Sequence, residues 1–410
     1  MRASGYEKTI SSQGGAVRRD AVVPHGEVSY RGCLPAARAI ISSAHHSTLQ
    51  SLRPDRILVI RLGALGDVLR TLPAVAGLRG QFPGAHITWL VESSASGALA
   101  AEAMIDEVRI FPREAWTEAL RGGRWGHLVR EAVSLRKDLY AGRFDLVLDF
   151  HGILKSGILA RTTGSAVRVG FARPTAREGS WIFSTHRISL PGHPVSRFER
   201  NLALVEPFFA GSPQASSFRL TLDSHAVQRI DAHLGDGPAP VAFHPGTSRS
   251  TPFKRLPVST YAALASRLRH DHGLPVIVTG GPGEEEQALA KAVVAASGAA
   301  ASLGPRTVSF SDLAALLARC RLLVSGDSGP LHAASLVGTP VVQLLGPTDP
   351  VENAPFSATP SRSLRAGLPC SPCRRGCAAA SCMSALGVAS IQEACESLLG
   401  LPHKAEGSGG

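Results

Sequence analysis

The chain of 410 residues is 44% hydrophobic and 18% charged, enough apolar material for two buried cores, which excludes a disordered polypeptide. Lysine and arginine outnumber aspartate and glutamate, 43 to 32, so anionic partners are expected. Aromatic residues are only 5%, too sparse for base-stacking platforms, which argues against nucleic acid, and no apolar run reaches the roughly 18 residues of a membrane span.

Residues 1–52 show no sustained period. "SSQGG", "VPHGEVSYRG" and "SSAHHSTLQS" predict a flexible extension, or a start placed upstream of the first domain, with room for one short helix at 34–43. The N-terminus lacks the charged start and apolar core of a signal peptide, so a cytoplasmic location is expected. An N-terminal domain is expected over 53–215. Residues 57–61 read as a buried parallel strand. The Gly-bearing turn "LGALGD" follows. "DVLRTLPAVAGLRGQF" then predicts one helix, with Val68, Leu72, Val75 and Leu78 on a single face. Pro83 and Gly84 end it, and "HITWLVE" returns as a strand. "FDLVLDFHG" is a further strand and turn, followed by a helix over 153–162.

Residues 216–237 read as a linker, and 238–400 as a second domain with the same grammar. "PVAFHPG" is a strand and turn, and "PVSTYAALASRLRHDHG" a helix. "PVIVTGGPGEEEQALAKAVVAAS" is strand, turn and helix. "SFSDLAALLARCRLLVSGDSGPLHAASLVGTPVVQLLGP" repeats the alternation twice. Residues 401–410 read as a disordered tail. Alternating strands and helices predict two parallel α/β sheets, whose ligands bind outside the carboxyl ends of the strands.

The turns at those ends carry the chemistry. Asp67 opens a helix after two glycines; it can cap the helix or take a proton in a cleft. "HPGTSRSTPFKRLP" offers Thr247, Ser248 and Lys254 to phosphate oxygens, or is a solvated basic loop. In "TGGPGEEE" the three carboxylates suit a helix dipole, and one could meet ribose hydroxyls. "GDSGP" is one glycine short of a protease nucleophile signature, and G-x-S-x-G is absent. Set between a strand and a helix, Asp327, Ser328 and Gly329 instead form an anion-binding turn. His332 lies on the first turn beyond. Cys370, Cys373, Cys377 and Cys382, spaced C-x2-C-x3-C-x4-C, could hold a structural zinc ion or iron–sulfur cluster, or be thiols packing a small loop.

"LGDVLRTLP", "FDLVLDFHGILKS", "HPGTSRSTPFKRLP", "GGPGEEE" and "SGDSGPLHAASLVGTPVVQLLGPTDP" occur in this order. Over 56–353 the chain thereby resembles glycosyltransferase family 9, and "DFHGILKSGILAR", "PTARE" and "RFERN" most resemble lipopolysaccharide heptosyltransferase I. The resemblance implies the GT-B fold, two Rossmann-like domains facing across a cleft. It implies inverting, metal-independent transfer of heptose from an ADP-sugar donor to the Kdo of a lipid-anchored core oligosaccharide, at the cytoplasmic face of the inner membrane. No cofactor is then required for catalysis, and the absence of any D-x-D motif from the sequence agrees with this.

Carried over by position, Asp67 is the general base. Thr247, Ser248, Lys254, Ser328 and Gly329 hold the diphosphate, Glu284 meets the ribose, and Asp327 and His332 face the diphosphate or sugar. Lys155, Arg177 and Arg200 take the acidic acceptor. The loop around Lys254 is longer than in heptosyltransferase I and nearer to heptosyltransferase II. Residues 1–50 have no counterpart in the family. Rival readings are a family member using another nucleotide sugar, a nucleotide-binding oxidoreductase, and a non-catalytic sugar-nucleotide binder.

Overall fold

The computed structural model describes residues 19–23, 27–30, 43–210, 217–373 and 375–402. First in the chain is an antiparallel pair, β1 (Arg19–Val23) and β2 (Glu27–Tyr30). β3 (Arg56–Ile60), β4 (His86–Glu92), β5 (Glu107–Phe111), β6 (Leu146–Asp149), β7 (Val167–Phe171) and β8 (His186–Ile188) form a parallel sheet in the order β5-β4-β3-β6-β7-β8. β9 (Val241–His244), β10 (Val276–Val278), β11 (Ser302–Leu303), β12 (Leu322–Gly326), β13 (Val341–Leu345) and β14 (Ser361–Arg365) form a second parallel sheet, β14-β13-β12-β9-β10-β11. β2 adds antiparallel to its β14 edge, pairing Ser29 with Leu364.

The central strands are the apolar runs read from sequence. Ile57, Leu58, Val59 and Ile60 are each 0% exposed, as strands covered on both faces must be. Ile57 stands between Ile87 and Leu146 in register. β9 and β12 occupy the same central place in the second sheet. Each sheet has helices on its faces, the doubly wound arrangement of a GT-B fold.

Several sequence expectations change. The extension over 1–52 is not irregular throughout: besides β1 and β2 it contains the helix Ser43–Ser51, whose Leu49 is buried in the core. That single apolar anchor was too weak a period to register. The expected helix at 34–43 lies outside the described residues apart from Ser43. The tail beyond 402 also lies outside them.

The helix expected after the "LGALGD" turn is two helices, Leu65–Leu69 and Leu72–Gln81. Pro73 breaks it, because proline has no N–H and its ring crowds the carbonyl of Leu69. The expected linker contains the helix Ser224–Leu234, whose N-cap Asp223 accepts from the Ala226 N–H at 2.7 Å. It packs against the helix Phe310–Ala318, where Arg229 holds buried Asp312.

The two sheets share one continuous apolar core that includes Val68, Leu69, Phe198, Leu331 and Phe356. The Phe198 and Phe356 rings meet at a tilt, their centroids 5.2 Å apart. This brings the helix Leu65–Leu69 of the first domain against the helix Gly329–Val337 of the second. Gly329 permits the approach: a Cβ there would lie 3.0 Å from Leu65 Cδ2. Two helix N-termini therefore meet at one place.

Candidate active site

A cleft of about 670 Å³ opens where these helices meet. Both domains line it: Asp67, Arg70 and Arg197 from the first, and Thr247, Lys254, Ser328 from the second. This is the position expected for ligands in open α/β sheets, at the carboxyl ends of the strands.

Asp67 sits in the third position of its helix, and Ala64 is the N-cap. Capping is therefore not its role. One carboxylate oxygen meets Arg61, and the other accepts from Arg70 at 3.1 Å and Arg197 at 3.2 Å. Burial alone would raise its pKa. The fields of Arg61, Arg70, Arg197 and Arg200 overcome that and hold the carboxyl well below the usual carboxylate range. The side chain nevertheless keeps 20% of its surface exposed toward the cleft.

Asp327 faces it from the second domain. Its oxygens accept from Lys254 Nζ at 2.9 Å and Arg70 Nη2 at 3.2 Å. Burial again pushes the pKa up, and His332, Arg70 and Lys254 together hold it down. The Arg70 guanidinium is thus shared by an aspartate from each domain, and it also reaches Asn353 Oδ1 at 3.4 Å. Burial lowers its pKa, an effect opposed by Asp327 and Asp67.

His332 is 1% exposed, and burial followed by the charge of Arg70 lowers its pKa to about 4. The ring is neutral at pH 7. Its Nε2 lies against Arg70 and 3.5 Å from Asp327 Oδ1. Nδ1 has no partner among the described residues. His244 also lines the cleft, held by Thr279 at 3.0 Å and kept neutral by burial, with a pKa of about 4.

Ser328 is the N-cap of the helix Gly329–Val337 and makes no cap hydrogen bond. Its hydroxyl lies 3.0 Å from that of Ser325. Ser328, Gly329 and Pro330 at this helix start line the cleft; the free N–H groups of a helix N-terminus in general favour an anion, and Pro330 contributes none. Thr247 lines the cleft, but its hydroxyl is engaged in its own loop, donating to the Thr251 carbonyl at 2.9 Å and accepting from Arg255 at 3.1 Å. Ser248 is exposed and bonded to Ser250.

Other expected residues do not gather at this cleft. Glu284 is exposed and outside its lining, where Glu286 stands instead. Two residues along a helix turn a side chain by about 200°, so these two carboxylates face opposite ways. Burial raises the pKa of Glu286. Lys155 instead meets Glu92 at 3.1 Å, and Arg113 meets the same carboxylate at 2.9 Å. Glu92 and Arg113 line a second cavity of about 330 Å³, which shares Ser93 and Ser94 with the main cleft. Arg177 is exposed, its backbone N–H bonded to the Gly152 carbonyl. Arg200 lies outside the lining, stacked 5.4 Å over Phe171, with burial lowering its pKa to about 9.

Cys370, Cys373 and Cys377 are exposed and Cys382 is buried, all as free thiols. Among the described residues no three His, Cys, Asp or Glu side chains converge as metal ligands. Cys382 tucks under the Gly346 turn, where a Cβ would lie 2.9 Å from its sulfur.

Sequence reasoning missed Arg61, Arg70 and Arg197. Each carried a signal: Arg61 is a charge ending a fully apolar run, Arg70 lies one turn after Asp67, and Arg197 one turn before Arg200.

The sequence model of glycosyltransferase family 9 (heptosyltransferase) matches residues 132–383. The chain belongs to glycosyltransferase family 9. Among its relatives, the lipopolysaccharide core heptosyltransferase OpsX of Haemophilus influenzae is 26% identical over 305 residues, 74% of this chain and 82% of the relative. Lipopolysaccharide heptosyltransferase 1 of Pseudomonas aeruginosa is 29% identical over 329 residues, 78% of this chain and 86% of the relative. The structure of E. coli heptosyltransferase WaaC with ADP superposes with a TM-score of 0.66 at 23% identity, covering 84% of this chain and 99% of WaaC. The family 9 member described here is a glycosyltransferase with the GT-B fold of that structure.

Proposed function

We propose that this glycosyltransferase moves heptose from ADP-L-glycero-D-manno-heptose to the Kdo of the lipopolysaccharide inner core, with inversion and without a catalytic metal, at the cytoplasmic face of the inner membrane. The observation that carries this reading is the opposition of Asp67 to the anion-binding turn at 327–329 across one cleft. Two structural neighbours, E. coli heptosyltransferase WaaC with ADP and with ADP-2-deoxy-2-fluoro heptose, support a diphosphate-bearing donor for this cleft.

Asp67 takes the proton of the acceptor hydroxyl as that oxygen attacks the anomeric carbon. The new C–O bond forms as the bond to the diphosphate breaks, and ADP leaves with the electron pair from the opposite face. The departing charge falls on the backbone N–H groups of the helix Gly329–Val337 and on Lys254, which lies 2.9 Å from Asp327 and can exchange that partner for a phosphate oxygen. In this reading Glu286, which lines the cleft, accepts from the ribose hydroxyls in place of Glu284.

A carboxylate held so low by arginines is a weak base. The acceptor supplies the remedy, because Kdo is itself a carboxylate. Arg197, with a 35% exposed side chain in the cleft, is free to swing from Asp67 to that acid. Losing one of its cations raises the proton affinity of Asp67 as the acceptor docks.

The test is transfer from purified ADP-heptose to Kdo-bearing acceptor, followed by mass spectrometry. Product gaining one heptose, lost in Asp67→Ala with ADP binding retained, is the expected result. No turnover of ADP-heptose, with turnover of another nucleotide sugar, would overturn the donor assignment.

A further inference from the structure

The helix Trp125–Ala141 follows directly on the helix Arg113–Arg121, which begins at the second cavity. Its inner face is ordinary: Leu139 is buried, and Leu128 and Leu135 are partly so. Its outer face is not. Trp125 is 63% exposed, Val129 59%, Val133 46% and Tyr140 67%. At about 100° per residue, these four fall within an arc of roughly 80° and run for some 22 Å along the helix. No packing among the described residues covers this second apolar stripe.

The charges sort around the stripe. Arg136 lies within it, and Arg130 and Lys137 flank it, all exposed. Glu131 and Asp138 project from the far side, more than about 100° away. Arg121 and Arg124 precede the helix and are exposed. The neighbouring helix Leu154–Thr162 packs against it and repeats the pattern, with Leu154 42% exposed and Ile158 45%, followed by exposed Arg161 one turn on. The same helix supplies Lys155 beside the second cavity.

We infer that the outer faces of helices Trp125–Ala141 and Leu154–Thr162 form a docking surface for an anionic lipid bilayer. Charge complementarity selects this occupant. Arginine and lysine interspersed with tryptophan, tyrosine and aliphatic side chains match phosphate headgroups at the level where acyl chains begin. The helix lies in the interface, and no described helix is long and apolar enough to cross it. Docked in this way, the protein opens its second cavity and the adjoining cleft beside the surface from which a lipid-anchored acceptor projects. That consequence rests on the acceptor proposed above, whereas the lipid binding does not.

The experiment is co-sedimentation of the full chain with vesicles of phosphatidylethanolamine and phosphatidylglycerol (7:3), against pure phosphatidylcholine vesicles. Binding to the anionic vesicles, weakened by raised salt, is expected. The triple variant Trp125→Ser, Val129→Ser, Tyr140→Ser should lose at least tenfold in apparent partition coefficient. Because these side chains are mostly exposed, its ADP affinity and its transfer to a soluble, deacylated acceptor should match the parent. Equal binding by the triple variant, or no binding by the parent, overturns the inference. So does a parent dimer that the triple variant dissociates without any vesicle binding, which would make a second copy of the chain the occupant. If the acceptor reading fails instead, soluble transfer is absent while vesicle binding persists.

Discussion

The turn at 61–67 and the turn at 326–329 both follow a buried parallel strand, both lead into a helix, and both present a partly buried aspartate. Their partners differ. Asp67 is surrounded by arginines of its own domain, and 20% of its side chain stays exposed to the cleft. Asp327 keeps 9% and is tied to Lys254 and Arg70. In the mechanism proposed above, the first turn holds the reactive carboxylate, whereas in the second the carboxylate aims the Lys254 cation at the leaving group. On that proposal, similar local sequence serves proton transfer in one domain and charge stabilisation in the other.

The largest expected effect separates the two. Asp67→Asn should lower kcat by about 10²–10⁴, the usual worth of a general base, and leave ADP affinity within a few-fold by calorimetry. Asp327→Asn should do the converse in kind, weakening ADP binding more than it slows the chemical step in single-turnover assays. Equal losses in both would erase the distinction. Next, Lys254→Met should cost about 10²–10³ in kcat/KM, as expected for one donor to the leaving group.

A third experiment bears on the shared cation. The pKa of Asp67 is depressed, so its basic form persists from neutral pH far into acid, and the acid limb of the kcat/KM profile should lie below the ordinary carboxylate range near pH 4. Arg70→Gln removes one of the cations that depress it. The limb should then move to higher pH, by roughly one unit for each 1.4 kcal/mol of lost interaction. An unmoved limb would show that Asp67 does not govern it. The smallest effect concerns the ribose: Glu286→Ala should weaken ADP binding about tenfold, as loss of a charged hydrogen bond does, and Glu284→Ala should stay within twofold.

Much of the fold was legible because buried parallel strands are continuous apolar runs, and those of β3, β4, β6, β9, β12 and β13 stand out. Strands β5, β7, β8 and β14 do not, since "EVRIF", "VRVGF", "HRI" and "SRSLR" interleave charge with apolar residues at or near sheet edges. The turns of the site could be read locally. Their partners could not, because Arg197 meets Asp67 across 130 positions and Arg70 meets Asp327 across 257. The choice between Glu284 and Glu286 turned on helical phase, which depends on where the helix starts. The exposed stripe from Trp125 to Tyr140 escaped notice because its period reads as an ordinary core face until burial is known.

Arg70 connects Asp67 and Asp327, the proposed base and the proposed donor-side turn, through a single delocalised charge. An anion settling at the 326–329 turn competes with Asp67 for that charge, and protonation of Asp67 releases it toward the anion. Affinity for the diphosphate and affinity for the proton are therefore reciprocally linked. On the proposed mechanism, taking the proton from the acceptor strengthens the hold on the departing group at the same moment, so one electrostatic balance couples the two events.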